Sequence, residues 1–201
     1  NKMENFIVLD TETTWQDKVM SIGVVVASGD TMTPIEYRYY IINPEFREGG
    51  MYSHVLIRKK AEENVVCTRE QALYDIKNCI RKYNAGSLFA YNAAFDRQHL
   101  PELKQYAWFD IMRISAYRQF NPRIPAMAPV CSTGRMKSRY GVQDMFQYLS
   151  GDYTYREIHN ALDDAMGELR LMQLLGRKID QYIPMAENPK EKNKDSTFFN
   201  F

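Results

Sequence analysis

Phe6-Ile7-Val8-Leu9-Asp10-Thr11-Glu12, followed after six residues by Val19-Met20-Ser21-Ile22-Gly23-Val24-Val25-Val26-Ala27, decides the fold class. Phe6–Asp10 is a short apolar run ending in acid, the pattern of a buried strand that delivers a carboxylate at its exit. Val19–Ala27 is rich in β-branched residues, which pack well on a pleated surface. Glu36–Ile42 is a third strand, closed by the turn signal Asn43-Pro44. The links are short and favour antiparallel pairing, because parallel strands need a long crossover. Downstream the period changes. Ala72, Leu73, Ile76, Cys79, Ile80 and Tyr83 recur at helical spacing and predict a helix over Arg69–Tyr83. Ser87–Tyr91 then reads as a strand, Phe95–Leu100 as a short helix stopped by Pro101, Tyr106–Phe109 as a strand and Ile111–Gln119 as a helix. Helices follow over Gly141–Leu149 and Ala161–Leu175. A three-stranded meander followed by strand–helix alternation predicts an α/β fold: a mixed sheet with a three-stranded antiparallel part plus parallel strands, flanked by helices.

The chain of 201 residues is long enough for one domain with a substantial core. Residues 1–183 read as that domain and 184–201 as a polar, Lys-rich tail ending in Phe198-Phe199-Asn200-Phe201. With 45% hydrophobic and 25% charged residues the composition is that of a soluble protein. No apolar run approaches the roughly 18 residues of a membrane span, and the run at Phe6–Leu9 is too short for a secretory signal. Cys67, Cys79 and Cys131 form no CxxC pair, which predicts reduced thiols, a cytoplasmic location and no structural zinc. The chain opens without Met, which reads as extra residues before a native start at Met3, or as a fragment.

Three acidic motifs carry chemistry. In a strand, residues two apart share a face, so Asp10 and Glu12 point the same way, with Cα atoms about 6.6 Å apart. Two such carboxylates reach a pair of metal ions about 3.5–4 Å apart. Asp96 follows the Ser87–Tyr91 strand at the start of a helix. If that strand runs parallel to the first, Asp96 arrives at the same end of the sheet. His159 and Asp164 are five residues apart, a rotation of roughly 140° on one helix, so they cannot share a helical face. Asn160 is a good N-cap, however, with Asp163 at the position of a capping box. The helix then begins at Ala161, His159 stays on the incoming loop, and Asp164 is the ligand while Asp163 serves the cap. Four carboxylates in one place call for divalent counter-ions, and oxygen ligands select hard cations, two Mg²⁺ or Mn²⁺.

Asp10-Thr11-Glu12, Asn92-Ala93-Ala94-Phe95-Asp96 and His159-Asn160-Ala161-Leu162-Asp163-Asp164, in this order, resemble the exonucleases named for four acids and a histidine (DEDDh). Their members include proofreading subunits of bacterial replicative polymerases, ribonuclease T and oligoribonuclease, and the resemblance spans roughly residues 5–176. It implies a ribonuclease H-like fold and release of 5′-mononucleotides from nucleic-acid 3′ ends. It also implies metal ligation by Asp10, Glu12, Asp96 and Asp164, with His159 taking a proton from the attacking water. The superfamily's tyrosine variant carries Tyr four residues before the last Asp; position 160 here is Asn. By the same resemblance Thr13, Thr14 and Trp15 line the terminal nucleotide, although Trp15 stands where relatives often have Gly. Trp15 either stacks on a base or covers the core. Asn92 helps order the second motif.

Other residues are read from their surroundings. From Arg97 to Tyr140 eight basic residues face only Glu102 and Asp110. Three of them, Arg135, Lys137 and Arg139, sit on the Pro-punctuated segment Asn121–Tyr140, a long loop that either follows a phosphate backbone or is a solvated surface. Asp110 reads as a helix cap, His99, one turn after Asp96, as a packing residue or a support behind the ligands rather than a catalyst, and His54 as structural. The phenylalanines of the tail are expected to dock on this domain, on a second copy (a homodimer) or on a partner protein. The rival to an active exonuclease is a nucleic-acid-binding accessory module that has lost catalysis; the presence of all five motif residues argues against it.

Overall fold

The computed structural model describes residues 2–186. Its centre is a six-stranded sheet in the order β4-β3-β2-β1-β5-β6. Strands β1 (Phe6–Thr13), β2 (Val19–Ala27) and β3 (Pro34–Ile42) form the antiparallel meander read from the sequence. β5 (Ser87–Ala90) runs parallel to β1, and β6 (Ala107–Asp110) parallel to β5. β4 (Val65–Cys67) adds to the far edge, parallel to β3. Helix α1 (Arg69–Tyr83) crosses from β4 to β5; α2 (Ala93–His99) and α3 (Ile111–Ala116) follow β5 and β6. α4 (Val142–Ser150) and α5 (Ala161–Leu175) complete the described chain, apart from short 3-10 turns.

The alternation of β1 splits the core in two. Phe6 and Val8 face a layer that includes Met145, Phe146, Leu169 and Met172 of α4 and α5. Ile7 and Leu9 face a layer that includes Leu73, Ile76 and Ile80 of α1. β2 lies between two strands and under helices on both faces, so all nine of its residues are buried. One glycine sets how near α5 comes. A Cβ on Gly23 would lie 2.2 Å from the backbone carbonyl carbon of Ala161, so the first turn of α5 rests directly on β2. Gly23 is the register partner of Asp10 on β1.

Three differences from the sequence reading have local causes. α3 stops at Ala116 rather than continuing to Gln119, because Tyr117 turns extended and pairs with Arg135. The segment Asn121–Tyr140 is thereby folded: Val130 pairs with Met136, and the Arg118 amide donates to Gly134 O at 2.9 Å. At the other end, Pro184 pairs with Phe109 and the Met185 amide donates to Trp108 O at 2.8 Å. The chain thus packs along β6 up to Ala186, whose carbonyl accepts from Arg97 Nη1 at 2.9 Å. Phe198, Phe199 and Phe201 lie outside the described residues. No helix among the described residues is long and apolar enough to cross a membrane.

Candidate active site

Asp10 and Glu12 leave β1 on the side covered by α5, and Asp96 enters from α2. Thr11 joins β1 to α2: its hydroxyl donates to Asp96 Oδ1 at 2.7 Å and its amide to the same oxygen at 3.0 Å. Asp164 sits one turn into α5 and is buried. The four acids are close enough to resist one another's charge. Burial first, then Glu168, Asp96, Glu12 and Asp164, hold Asp10 well above the usual carboxylate range. Burial, then the charges of Asp164 and Asp96, push Glu12 up to about 8. Asp96 is pushed up to about 7 by burial, against the two Thr11 bonds. Asp164 rises to about 7 through burial and then Glu157, with the His159 amide opposing at 3.2 Å.

His159 lies outside α5, as the spacing requires. Its backbone is left-handed, with φ of 61°, and the ring turns back over the start of the helix. Nδ1 comes to 4.0 Å from Asp164 Oδ2. Ligand atoms of Glu12, His159 and Asp164 all lie within 4.8 Å of one another. The imidazole stacks on Tyr52, centroids 4.1 Å apart and planes 11° apart.

Asn160 is the N-cap of α5, its Oδ1 accepting from Leu162 N at 3.1 Å and Asp163 N at 3.4 Å. The capping box is a correction. Asp163 does not serve the cap; its Oδ2 accepts from Arg58 Nη1 at 2.7 Å. The same Nη1 donates to Asn160 Oδ1 at 2.9 Å, and Asn160 Nδ2 donates to Tyr39 Oη and Val55 O. Arg58 wins because its half-buried guanidinium needs acceptors, and it takes Glu63 as well, at 2.7 Å.

The flanking residues divide. Asn92 is left-handed, φ 58°, and its amide donates to Asp110 Oδ1 at 2.9 Å. That oxygen also accepts from Met112 N at 3.0 Å, so Asp110 is the cap of α3, as read. Thr14 is buried with its hydroxyl occupied: it donates to Glu48 Oε2 at 3.1 Å and accepts from the Gln16 and Lys18 amides. Thr13 is half-buried at the end of β1. Trp15 is 69% exposed, so it does not cover the core. His99 is structural, its Nε2 2.8 Å from Asp17 Oδ1 and its Nδ1 2.7 Å from Phe95 O. His54 is exposed, beside Arg58. Arg135 lies with its guanidinium 4.2 Å from the Tyr140 ring centre, while Lys137 and Arg139 are exposed. None of these three is bonded to the acidic cluster.

Sequence reasoning missed Glu168, Glu157, Tyr52 and Thr11. Glu168 had a usable signal: it is four residues beyond Asp164, on the same face of α5. Glu157 acts on Glu12 and Asp164 and is itself raised by burial. Tyr52 had none, because its stacking partner is distant in sequence.

No family model matches the sequence, and no curated protein matches it. Solved structures do match in fold. The nuclease domain of 3′hExo, a DEDDh family member bound to rAMP, is 16% identical and is aligned over 92% of this chain and 98% of its own, with a TM-score of 0.65. A full-length 3′-exonuclease is 16% identical over 94% of this chain and 93% of its own, with a TM-score of 0.60. The zinc-bound E. coli ExoI–ssDNA complex is 12% identical over 90% of this chain but only 42% of its own, with a TM-score of 0.61. The chain has the fold of the DEDDh 3′-exonucleases.

Proposed function

We propose that this protein is a divalent-metal-dependent 3′→5′ exonuclease that releases 5′-mononucleotides from single-stranded DNA or RNA ends. The observation that carries the reading is the convergence of Asp10 and Glu12 of β1, Asp96 of α2, Asp164 of α5 and His159 of the loop before it, in a fold whose matching solved structures include 3′-exonucleases. The donor set fits two hard cations. It is oxygen-rich, and Asp10 Oδ2 is buried without a hydrogen-bond partner, which is costly unless a cation balances it. Asp10, Glu12, Asp96 and Asp164 would hold two Mg²⁺ or Mn²⁺. When bound, such ions lower the pKa of the attacking water and stabilise the leaving 3′ oxygen.

The chain's own groups do the rest. Thr11 fixes one Asp96 oxygen and leaves the other to bind. His159, with Nδ1 4.0 Å from Asp164 Oδ2, stands where its imidazole takes a proton from the attacking water. Tyr52 keeps the imidazole from turning away. Exposed Trp15 is the stacking surface for the terminal base, with Thr13 and Asn92 shaping the approach. Thr14 supports this edge through its turn rather than by touching substrate. Arg135, Lys137 and Arg139 hold the strand upstream.

The test compares 5′-labelled single-stranded DNA, RNA and dinucleotides with Mg²⁺, Mn²⁺ and EDTA. Stepwise shortening from the 3′ end, lost in EDTA and in Asp10→Ala, is the expected result. Internal cleavage, or hydrolysis that survives in Asp10→Ala, would overturn the reading.

A further inference from the structure

Glu168 is a buried carboxylate that the four-acid site does not use. The residue is 2% exposed, and its Oε2 has no hydrogen-bond partner. It stands one helical turn after Asp164 on α5, which packs across β1 and β2 at the level of Asp10. Among the charges acting on Asp10, that of Glu168 is the largest, ahead of Asp96, Glu12 and Asp164. Asp10 Oδ2 is itself buried and unpartnered. The α5 side of the site thus holds two buried carboxylate oxygens without hydrogen-bond partners, one on β1 and one on α5.

We propose that Glu168 is a fifth carboxylate of the metal centre, its Oε2 joining Asp10 Oδ2 around one divalent cation on the inner side of the cluster.

The proposal rests on the metal-dependent reading above. Packing gives no reason for the residue. A buried carboxylate with one oxygen unpaired is costly, and a methionine would fill the same helix position without that cost. The Tyr91 backbone amide reaches the carboxylate but leaves Oε2 without a partner. A dication satisfies both orphaned oxygens at once. Oxygen-only coordination on this inner side favours Mg²⁺ or Mn²⁺ over softer metals.

The distinguishing experiment measures Mn²⁺ binding to the full chain without nucleic acid, by calorimetry and by loss of the free-ion EPR signal. Wild type, Glu168→Gln and Glu168→Met are compared, each also melted in EDTA and in excess Mn²⁺. The expected result is at least a tenfold weaker Mn²⁺ site in both variants. With it, the melting temperature in EDTA equals or exceeds that of wild type, while the rise on adding Mn²⁺ shrinks. Equal Mn²⁺ affinity in wild type and a folded variant overturns the proposal and leaves the metal-dependent reading standing. So does a variant that melts lower in EDTA and gains as much from Mn²⁺ as wild type, since Glu168 is then only structural. Absence of Mn²⁺ binding in wild type overturns both readings.

Discussion

Gly23→Ala tests whether the seating of α5 on the sheet sets the geometry of the site. The added Cβ would stand 2.2 Å from the Ala161 carbonyl carbon and oxygen and 2.3 Å from the Leu162 nitrogen, where ordinary contact begins at 3.4 Å. The obstacle is backbone on both sides, so no side chain can rotate out of the way, and the first turn of α5 must retreat by roughly 1.2 Å. Inserting volume into a well-packed interior costs about 1–3 kcal/mol, and with rigid partners the upper end applies. For a domain of this size about 3 kcal/mol lowers the melting temperature by roughly 6–12 °C. His159 and Asp164 flank the displaced turn, and a misplacement of about 1 Å is worth roughly a hundredfold in rate. Gly86→Ala is the control, because a Cβ there meets nothing within 4 Å, and it should stay within about 0.5 kcal/mol of wild type. Thermal unfolding in EDTA and hydrolysis of a labelled oligonucleotide under saturating Mn²⁺ read the two effects separately. If Gly23→Ala matches Gly86→Ala in both, the close approach of α5 does not matter and the reasoning is wrong.

His159→Ala should lower turnover by about 10²–10⁴-fold, the range for loss of a general base, with Mn²⁺ affinity measured by calorimetry largely kept; an unchanged rate would leave His159 a structural residue. Stability should depend on pH with an unusual sign. Glu12 at about 8, and Asp96 and Asp164 at about 7, bind protons more tightly folded than unfolded, so metal-free protein loses stability as pH rises from about 4 to about 8. Melting in EDTA at pH 5 and pH 8 checks this: the pH 8 sample should melt lower and recover with Mn²⁺, and equal melting points would show that the acids are not crowded. Neutralising Arg135, Lys137 and Arg139 together should weaken oligonucleotide binding and flatten its salt dependence, leaving mononucleotide inhibition nearly unmoved. An unaltered salt slope would make these residues a solvated surface.

Where local chemistry and tertiary packing agree, the fold was readable in advance. α1 has apolar residues at helical spacing and a Thr68–Gln71 capping box, and its ends fall where the pattern puts them. β2 has an unbroken run of apolar and small residues because it is covered on both faces. β4 was not readable: three residues cannot display a period, and Val65 and Val66 are exposed. The order inside Asn121–Tyr140 was hidden because it depends on Tyr117 and Arg135 meeting across a Pro-containing loop. The acids and histidine of the candidate site stood out as short motifs tied to element boundaries. Glu168 shares the helical face of Asp164, but a glutamate in a helix ordinarily faces water, and only the packing of α5 over β1 encloses it. Asp163 went astray for a similar reason, its guanidinium partner lying 105 residues away.

The link from Arg58 to Asn160 and Asp163 has a consequence for the order in which the molecule comes into being. It joins residues 102 and 105 positions apart, and α5 must return to strands laid down at the beginning of the chain. Closing so long a loop costs entropy that local contacts do not return, and such contacts form late. The meander and α1, which end at Tyr83, can form before His159 and Asp164 have been added to the growing chain. The mutually repelling carboxylates of β1 and α5 therefore meet only after the sheet is in place. The acidic cluster is therefore incomplete until α5 docks on the sheet.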